Sequence, residues 1–192
     1  MEIQDAKTRA RKAAFAARKS ADASTDLAPA TAALLAAVED QLAGRGAAII
    51  AGYMPIRTEI DPRPAMAALS RAHRIAVPVI VGDGLPLKFR HWTPEAAMVP
   101  GPFGAQVPAE GDWLVPDLII LPLVAFDRRG TRLGYGGGFY DRSLAQLTEA
   151  ASRPAAIGFA YAAQELPELP REPTDQPLDL IVTEIGALIP QP

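Results

Sequence analysis

Two short apolar runs with a helical stretch between them set the class of fold open to this chain. "AAIIAGYMP", closed by Pro55, has the length and composition of a buried strand, and "IAVPVIV" is a second strand despite Pro78. Between them "DPRPAMAALSRAHR" reads as a helix opened by Asp61 or Pro62. Strand, helix, strand in that order is the signature of a parallel βαβ unit. "DLIILPLVAFD" is almost continuously apolar, as expected of a central strand, with Pro122 requiring a break in the ladder nearby. "AAIGFAYA" and "DLIVTEIGALIP" supply two further strands, separated by the charged, proline-rich "ELPELPREPTDQP". "LKFRHW" reads as a more exposed strand that holds His91 and Trp92 as packing residues, and "PEAAMVPGPFGAQVPAEGDWLVP" as an irregular connection of the length that tends to be functional. The expected fold is α/β: a single three-layer α/β/α domain over residues 1–192 with a mostly parallel sheet.

Two more helices precede this core. Residues 5–19 lack Gly and Pro and are rich in Ala, Lys and Arg. "LAPATAALLAAVEDQLA" follows, capped by Thr25 or Asp26, with Leu27, Leu34, Leu35, Val38 and Leu42 on one face and Gly44 and Gly46 ending it.

Composition narrows the function. The 192 residues are 49% apolar and 21% charged, enough for one domain with its own core and unlike a disordered chain. Nineteen basic against 22 acidic residues leave a net charge of -3, so no global field favours nucleic acid or an anionic membrane, and any anion site is local. The absence of cysteine excludes disulfides, a thiolate nucleophile and cysteine-bound zinc. With only His73 and His91, a histidine-rich metal cluster is excluded as well, whereas a hard cation held by oxygen ligands is not. No apolar run approaches the roughly 20 residues that span a bilayer, and "MEIQDAKTRARKAAFAARKS" lacks the apolar core of a secretory signal, so a cytoplasmic location is expected.

"DRRGTRLGYGGGFYDR" is where the chemistry concentrates. A strand that runs through glycines into a helix amino end gathers backbone N–H groups with no side chains in the way, which suits a phosphate. Gly134, Gly136, Gly137 and Gly138 match neither a P-loop nor a dinucleotide fingerprint, because Phe139 stands at the last glycine position. Arg132 and Arg142 bracket the run with forks suited to phosphate oxygens. Asp141 is either a magnesium ligand or a helix cap. On residue chemistry alone the run is a phosphate-binding loop or a structural turn.

The longer phrase "LPLVAFDRRGTRLGYGGGFYDR" resembles the signature of the 5-formyltetrahydrofolate cyclo-ligase family, P-x-x-A-F-D-x-x-G-x-R-L-G-x-G-G-G-Y-Y-D-R, and departs from it only at Phe139. The resemblance extends to the basic first helix with Lys7 and Arg11 four apart, to "YMPIRTEID", and to "IGFAYAAQELPELP" followed by "LDLIVTE". It implies an enzyme that uses ATP and magnesium to turn 5-formyltetrahydrofolate into 5,10-methenyltetrahydrofolate. ATP would phosphorylate the formyl oxygen, N10 would attack the activated carbon, and phosphate would leave.

The same resemblance implies the site. Lys7 and Arg11 would reach ATP phosphates, together with Arg132, Leu133, Gly134, Tyr135, Gly136, Gly137, Gly138, Phe139 and Tyr140. Within that set Arg132 would neutralise phosphoryl charge and Tyr140 orient a phosphate or the folate, the two catalytic assignments. Arg18 lies near the stripe of Lys7 and Arg11 but reads as part of a solvated basic face. Met54, Glu59 and Phe103 fall at positions for folate contact. Asp141 and Asp175 would hold the magnesium ion; Thr174 stands where many relatives have histidine, which makes Asp179 a competitor for the second place. Val107 replaces a glutamate of the family and takes no polar role. A monomer is expected, with 5-formyltetrahydrofolate and ATP as its ligands and neither nucleic acid nor membrane as partner. A ligase of the same fold with another substrate, or a non-catalytic folate- or nucleotide-binding protein, is the alternative.

Overall fold

The computed structural model describes residues 2–150 and 153–191. Its helices are α1 (Glu2–Asp22), α2 (Ala28–Gln41), α3 (Arg63–Leu69) and α4 (Phe139–Ala150). The strands are β1 (Ile49–Ala51), β2 (Arg74–Val79), β3 (Lys88–Trp92), β4 (Met98–Pro100), β5 (Gln106–Pro108), β6 (Trp113–Leu114), β7 (Leu118–Pro122), β8 (Ala125–Phe126), β9 (Arg132–Leu133), β10 (Ala155–Phe159), β11 (Leu180–Thr183) and β12 (Gly186–Leu188).

Eight strands form one sheet in the order β12-β11-β10-β7-β1-β2-β3-β6. The five from β11 to β2 are parallel, and antiparallel strands extend both edges: β12 on one side, β3 and β6 on the other. Ile50 of β1 lies in register with Ile75 and Leu118, so the apolar runs of the sequence meet at the centre of the sheet. Pro78 is accommodated near the end of β2, opposite Phe89, and Pro122 ends β7, after which the chain leaves the main sheet to form the β8–β9 hairpin.

Alternation along the strands separates two cores. Ile50, Ile75, Leu118, Ile120, Ile157 and Val182 face α2 and α3, packing on Leu34, Val38 and Met66. Ala51, Ala76, Ile119, Leu121, Ala156 and Ile181 face the opposite side, where Leu144 of α4 packs. The three-layer α/β/α architecture read from the sequence is therefore the observed one.

A third, smaller cluster places α1. Ala14 packs on Val124, Ala125, Leu133 and Leu169, so α1 lies over the β8–β9 hairpin that follows the carboxyl end of β7. Binding sites of open parallel sheets occur at such carboxyl ends.

Three local expectations are corrected. Thr25 and Asp26 do not cap α2, whose first flanking residue is Leu27; Asp26 instead accepts a 3.0 Å hydrogen bond from the Ala28 N–H in a local turn. Asp61 acts likewise on the Arg63 N–H at 2.9 Å, and Pro62 precedes α3 with no side-chain cap. The connection expected to be irregular contains the β4–β5 hairpin and β6, because residues there find cross-strand partners, Val99 opposite Val107 and Leu114 opposite Phe89.

Candidate functional site

The glycine loop leaves β9 and enters α4. Gly136 and Gly138 have φ of +102° and +64°, conformations that L side chains rarely adopt, so glycine is required at both for the chain to turn. At Gly137 the constraint is different: a Cβ would come 2.7 Å from the Phe139 ring. Gly134 meets neither limit, with no heavy atom within 4 Å of the place its Cβ would take. Its carbonyl accepts a 2.8 Å hydrogen bond from Arg11 Nε, and the Arg11 guanidinium lies beside Gly136. Thus α1 and the loop face each other, as the shared helical face of Lys7 and Arg11 suggests.

Acidic and basic side chains from distant segments meet on the same side. Lys7 is buried and donates to Glu172 and to Asp175, each at 2.7 Å. Burial lowers its pKa, but the two carboxylates outweigh that effect and hold it above the ordinary lysine value. Arg132 is also buried, donating to Asp141 Oδ1 at 2.6 Å and to the Gln176 carbonyl. Asp141 accepts the Gln176 N–H at 2.9 Å with that same oxygen. It therefore does not cap α4; it joins the first turn of α4 to the segment holding Asp175.

The donor set suits a hard cation. Asp141 Oδ1 and Asp175 Oδ2 carry the protein hydrogen bonds, while among the described residues Asp141 Oδ2 and Asp175 Oδ1 have no such partner. Both side chains are partly open to solvent, at 28% and 19%. Free carboxylate oxygens beside a glycine loop at a helix amino end are of the kind that magnesium takes alongside phosphate oxygens and water. Asp179 differs from Asp141 and Asp175: both its oxygens pair with Arg153 at 2.6 and 2.7 Å, and one also accepts the Ala156 N–H.

The second half of the site lies after β1. Met54 packs against the core and is only half-buried, and Glu59 is buried, its Oε2 accepting the Ile56 N–H at 2.9 Å. Burial raises the Glu59 pKa, against the opposing pull of that N–H, Arg18, Tyr135 and Arg57. Phe103 stands 70% exposed on the β4–β5 hairpin at φ +58°, its ring 6.3 Å from that of Phe139, which is itself covered by the Arg142 guanidinium at 5.1 Å. Tyr140 packs on the α4-side core, and burial pushes its phenol far above the usual range, so it is a hydroxyl and not a phenolate at neutral pH. Leu133 is a buried anchor of the small third core, packed with Ala14, Val124, Ala125 and Leu169.

Four residues outside the expected set complete the arrangement. Arg18 is fully buried and touches both halves of the site, not the solvated face expected for it. Thr58 accepts from Arg18 Nε at 3.1 Å. Glu172 shares Lys7, and Gln176 links Arg132 to Asp141. For Arg18 the signal was present in the spacing of Lys7, Arg11 and Arg18 on an alanine-rich helix; for Glu172 and Gln176, inside a proline-rich coil, no periodicity marks them.

The sequence matches the model of the 5-formyltetrahydrofolate cyclo-ligase family over residues 3–184. It is 34% identical over 144 residues to the 5-formyltetrahydrofolate cyclo-ligase of Escherichia coli (strain K12), an alignment that covers 70% of this chain and 76% of that one. With the enzyme of the same name from Mycolicibacterium smegmatis it is 31% identical over 145 residues, covering 70% and 72%. Among solved structures, the Aquifex aeolicus 5,10-methenyltetrahydrofolate synthetase superposes with a TM-score of 0.75 at 26% identity, over 97% of this chain and 93% of that one.

Proposed function

This chain belongs to the 5-formyltetrahydrofolate cyclo-ligase family, and we propose that it uses ATP to convert 5-formyltetrahydrofolate into 5,10-methenyltetrahydrofolate, with release of ADP and phosphate. The observation that carries this reading is the convergence of a glycine loop, the three cationic side chains Lys7, Arg11 and Arg132, and two carboxylates with free oxygens, next to a buried glutamate reached from another segment.

Positioning and charge neutralisation do most of the work in phosphoryl transfer. The loop N–H groups from Gly134 to Gly138 and the amino end of α4 cradle the phosphates, and Arg11, already anchored on the loop, adds positive charge there. Lys7 serves the same phosphates from α1. Arg132 is fixed by Asp141 and the Gln176 carbonyl, so its fork enters the reaction already oriented. When bound, magnesium would be held by Asp141 and Asp175 and would offset charge on the phosphate oxygens.

On the folate side the Glu59 carboxylate accepts hydrogen bonds from the amino and ring N–H groups of the pterin, while Met54 and Phe103 pack on its faces. The formyl oxygen attacks the γ-phosphorus and ADP departs. N10 then attacks the formyl carbon, the C–O bond breaks with phosphate as leaving group, and N10 gives up its proton. Tyr140, kept protonated by burial, acts as a hydrogen-bond donor that orients a phosphate or the folate.

Mixing the protein with 5-formyltetrahydrofolate, ATP and magnesium, and following the ultraviolet absorbance of the methenyl product, tests the reading. Product formation that stops when any one component is omitted is the expected result. ATP binding without product would overturn it in favour of a binding protein. Asp141→Ala lowers magnesium-dependent turnover by at least tenfold on this reading, on the order of 1.4 kcal/mol; unchanged turnover would remove Asp141 from the metal site.

A further inference from the structure

Arg18 is the largest fully buried side chain of the protein and carries a charge, which demands a reason. Its guanidinium is satisfied by groups from three separate segments. Nε donates to Thr58 Oγ1 at 3.1 Å, Nη1 approaches the Leu123 carbonyl at 3.5 Å and Glu59 Oε1 at 3.9 Å, and Nη2 donates to the Tyr135 hydroxyl at 2.8 Å. Thr58 and Glu59 belong to the folate half; Tyr135 belongs to the glycine loop.

Tyr135 closes the triangle. Its hydroxyl accepts from Arg18 Nη2, while Arg18 Nη1 lies 3.9 Å from Glu59 Oε1, so one guanidinium spans the loop tyrosine and the carboxylate. The ring is held from three sides, by Phe15 at 5.5 Å, Arg18 at 5.6 Å and Arg57 at 5.6 Å. Arg57 itself sits in the folate segment at φ +56°, a conformation that costs a non-glycine residue energy. Two arginines, one buried and one in a strained turn, therefore hold Tyr135, and the buried one also reaches Glu59.

We propose that Arg18 is a positioning residue that couples the two substrate sites through Tyr135 and Glu59, so that filling the phosphate loop orders the carboxylate that receives the folate, and the reverse. This inference rests on the assignment of Glu59 to folate and of the glycine loop to ATP. Arg18 touches neither reacting atom in it. Its effect passes through a hydroxyl that only a fixed guanidinium holds in place. The charged or titratable groups around Glu59 are Arg18, Arg57 and Tyr135, with Tyr53 and Tyr140 nearby and Asp61 beyond Tyr53.

Coupling of this kind is reciprocal and measurable. Titration calorimetry with a non-hydrolysable ATP analogue and magnesium, in the absence and presence of saturating 5-formyltetrahydrofolate, gives the factor by which each ligand tightens the other. The expected factor for the wild-type protein is on the order of tenfold. Tyr135→Phe keeps the ring and its packing but removes the hydroxyl that Arg18 holds, and it brings the factor to about one, whatever its effect on the affinity for ATP alone. Arg18→Met does the same and also weakens folate alone; Arg18→Lys, which retains the charge without the fork, restores little. A wild-type factor of one, or an undiminished factor in Tyr135→Phe, would overturn the proposal. If neither ligand binds the wild-type protein, the functional assignment itself is at fault, a different result from binding without coupling.

Discussion

Burial governs how Glu59 can act. A carboxylate removed from water resists ionisation, and here the Ile56 N–H, Arg18, Tyr135 and Arg57 offset that resistance only in part, so the pKa stays above the ordinary value of 4.5. As pH falls through that raised value Glu59 gains a proton and, in the folate role proposed for it, loses its capacity to accept hydrogen bonds from the pterin. The folate KM therefore rises on the acid side, with an inflection above 4.5, while the ATP KM follows a different course. Glu59→Gln abolishes that inflection and raises the folate KM by about tenfold or more, the loss of a charge-assisted hydrogen bond of roughly 1.5–3 kcal/mol. Steady-state kinetics against pH in the wild type and the variant check both statements. An acid limb that persists in Glu59→Gln would assign the titration to another group.

At the scale of elements, the glycine loop can be divided by what each position requires. Gly138→Ala combines a positive φ with a Cβ that would lie 2.7 Å from Arg142 Nη1, so it loses about 1–2 kcal/mol of stability. Gly134→Ala meets neither strain nor neighbour and should leave the melting temperature within the scatter of a neutral surface change. If the phosphates of ATP approach the backbone at Gly134, the same silent change raises the ATP KM severalfold. Thermal melts and ATP kinetics on the two variants separate folding from binding. The strand–helix–strand order, the central β7 and the loop before α4 were legible in the sequence because each rests on local periodicity or on glycine chemistry. The Lys7–Asp175 ion pair was not, since it joins residues 168 positions apart through a coil that carries no pattern, nor was the Arg132–Asp141 pair, which depends on how the loop between them folds back. Asp141 illustrates the difference: its place in the first turn of α4 made it a candidate cap, yet its Oδ1 accepts from both Arg132 and the Gln176 N–H, and only the packing of a remote segment decides that.

For the whole molecule, α1 is the component whose attachment decides whether there is a site at all. The sheet and its two flanking layers form their cores largely without it, whereas α1 docks through the small cluster of Ala14 with Val124, Ala125, Leu133 and Leu169, aided by Lys7, Arg11 and Arg18. Ala14 is 1% exposed, so Ala14→Glu forces an unpaired carboxylate into that cluster at a cost of about 3 kcal/mol. Because the penalty falls on the docking of one helix, the economical response of the protein is to release α1 and keep the sheet folded. Hydrogen exchange then accelerates roughly 100-fold across residues 2–22, the factor that about 3 kcal/mol corresponds to, while amides of β7, β10 and β11 retain their protection. ATP affinity falls in the same variant, since Lys7 and Arg11 leave together, and folate affinity falls with it, since Arg18 goes too. Uniform acceleration across the sheet would show instead that α1 and the core unfold as one unit, and retained ATP affinity would show that the loop binds phosphate without the helix.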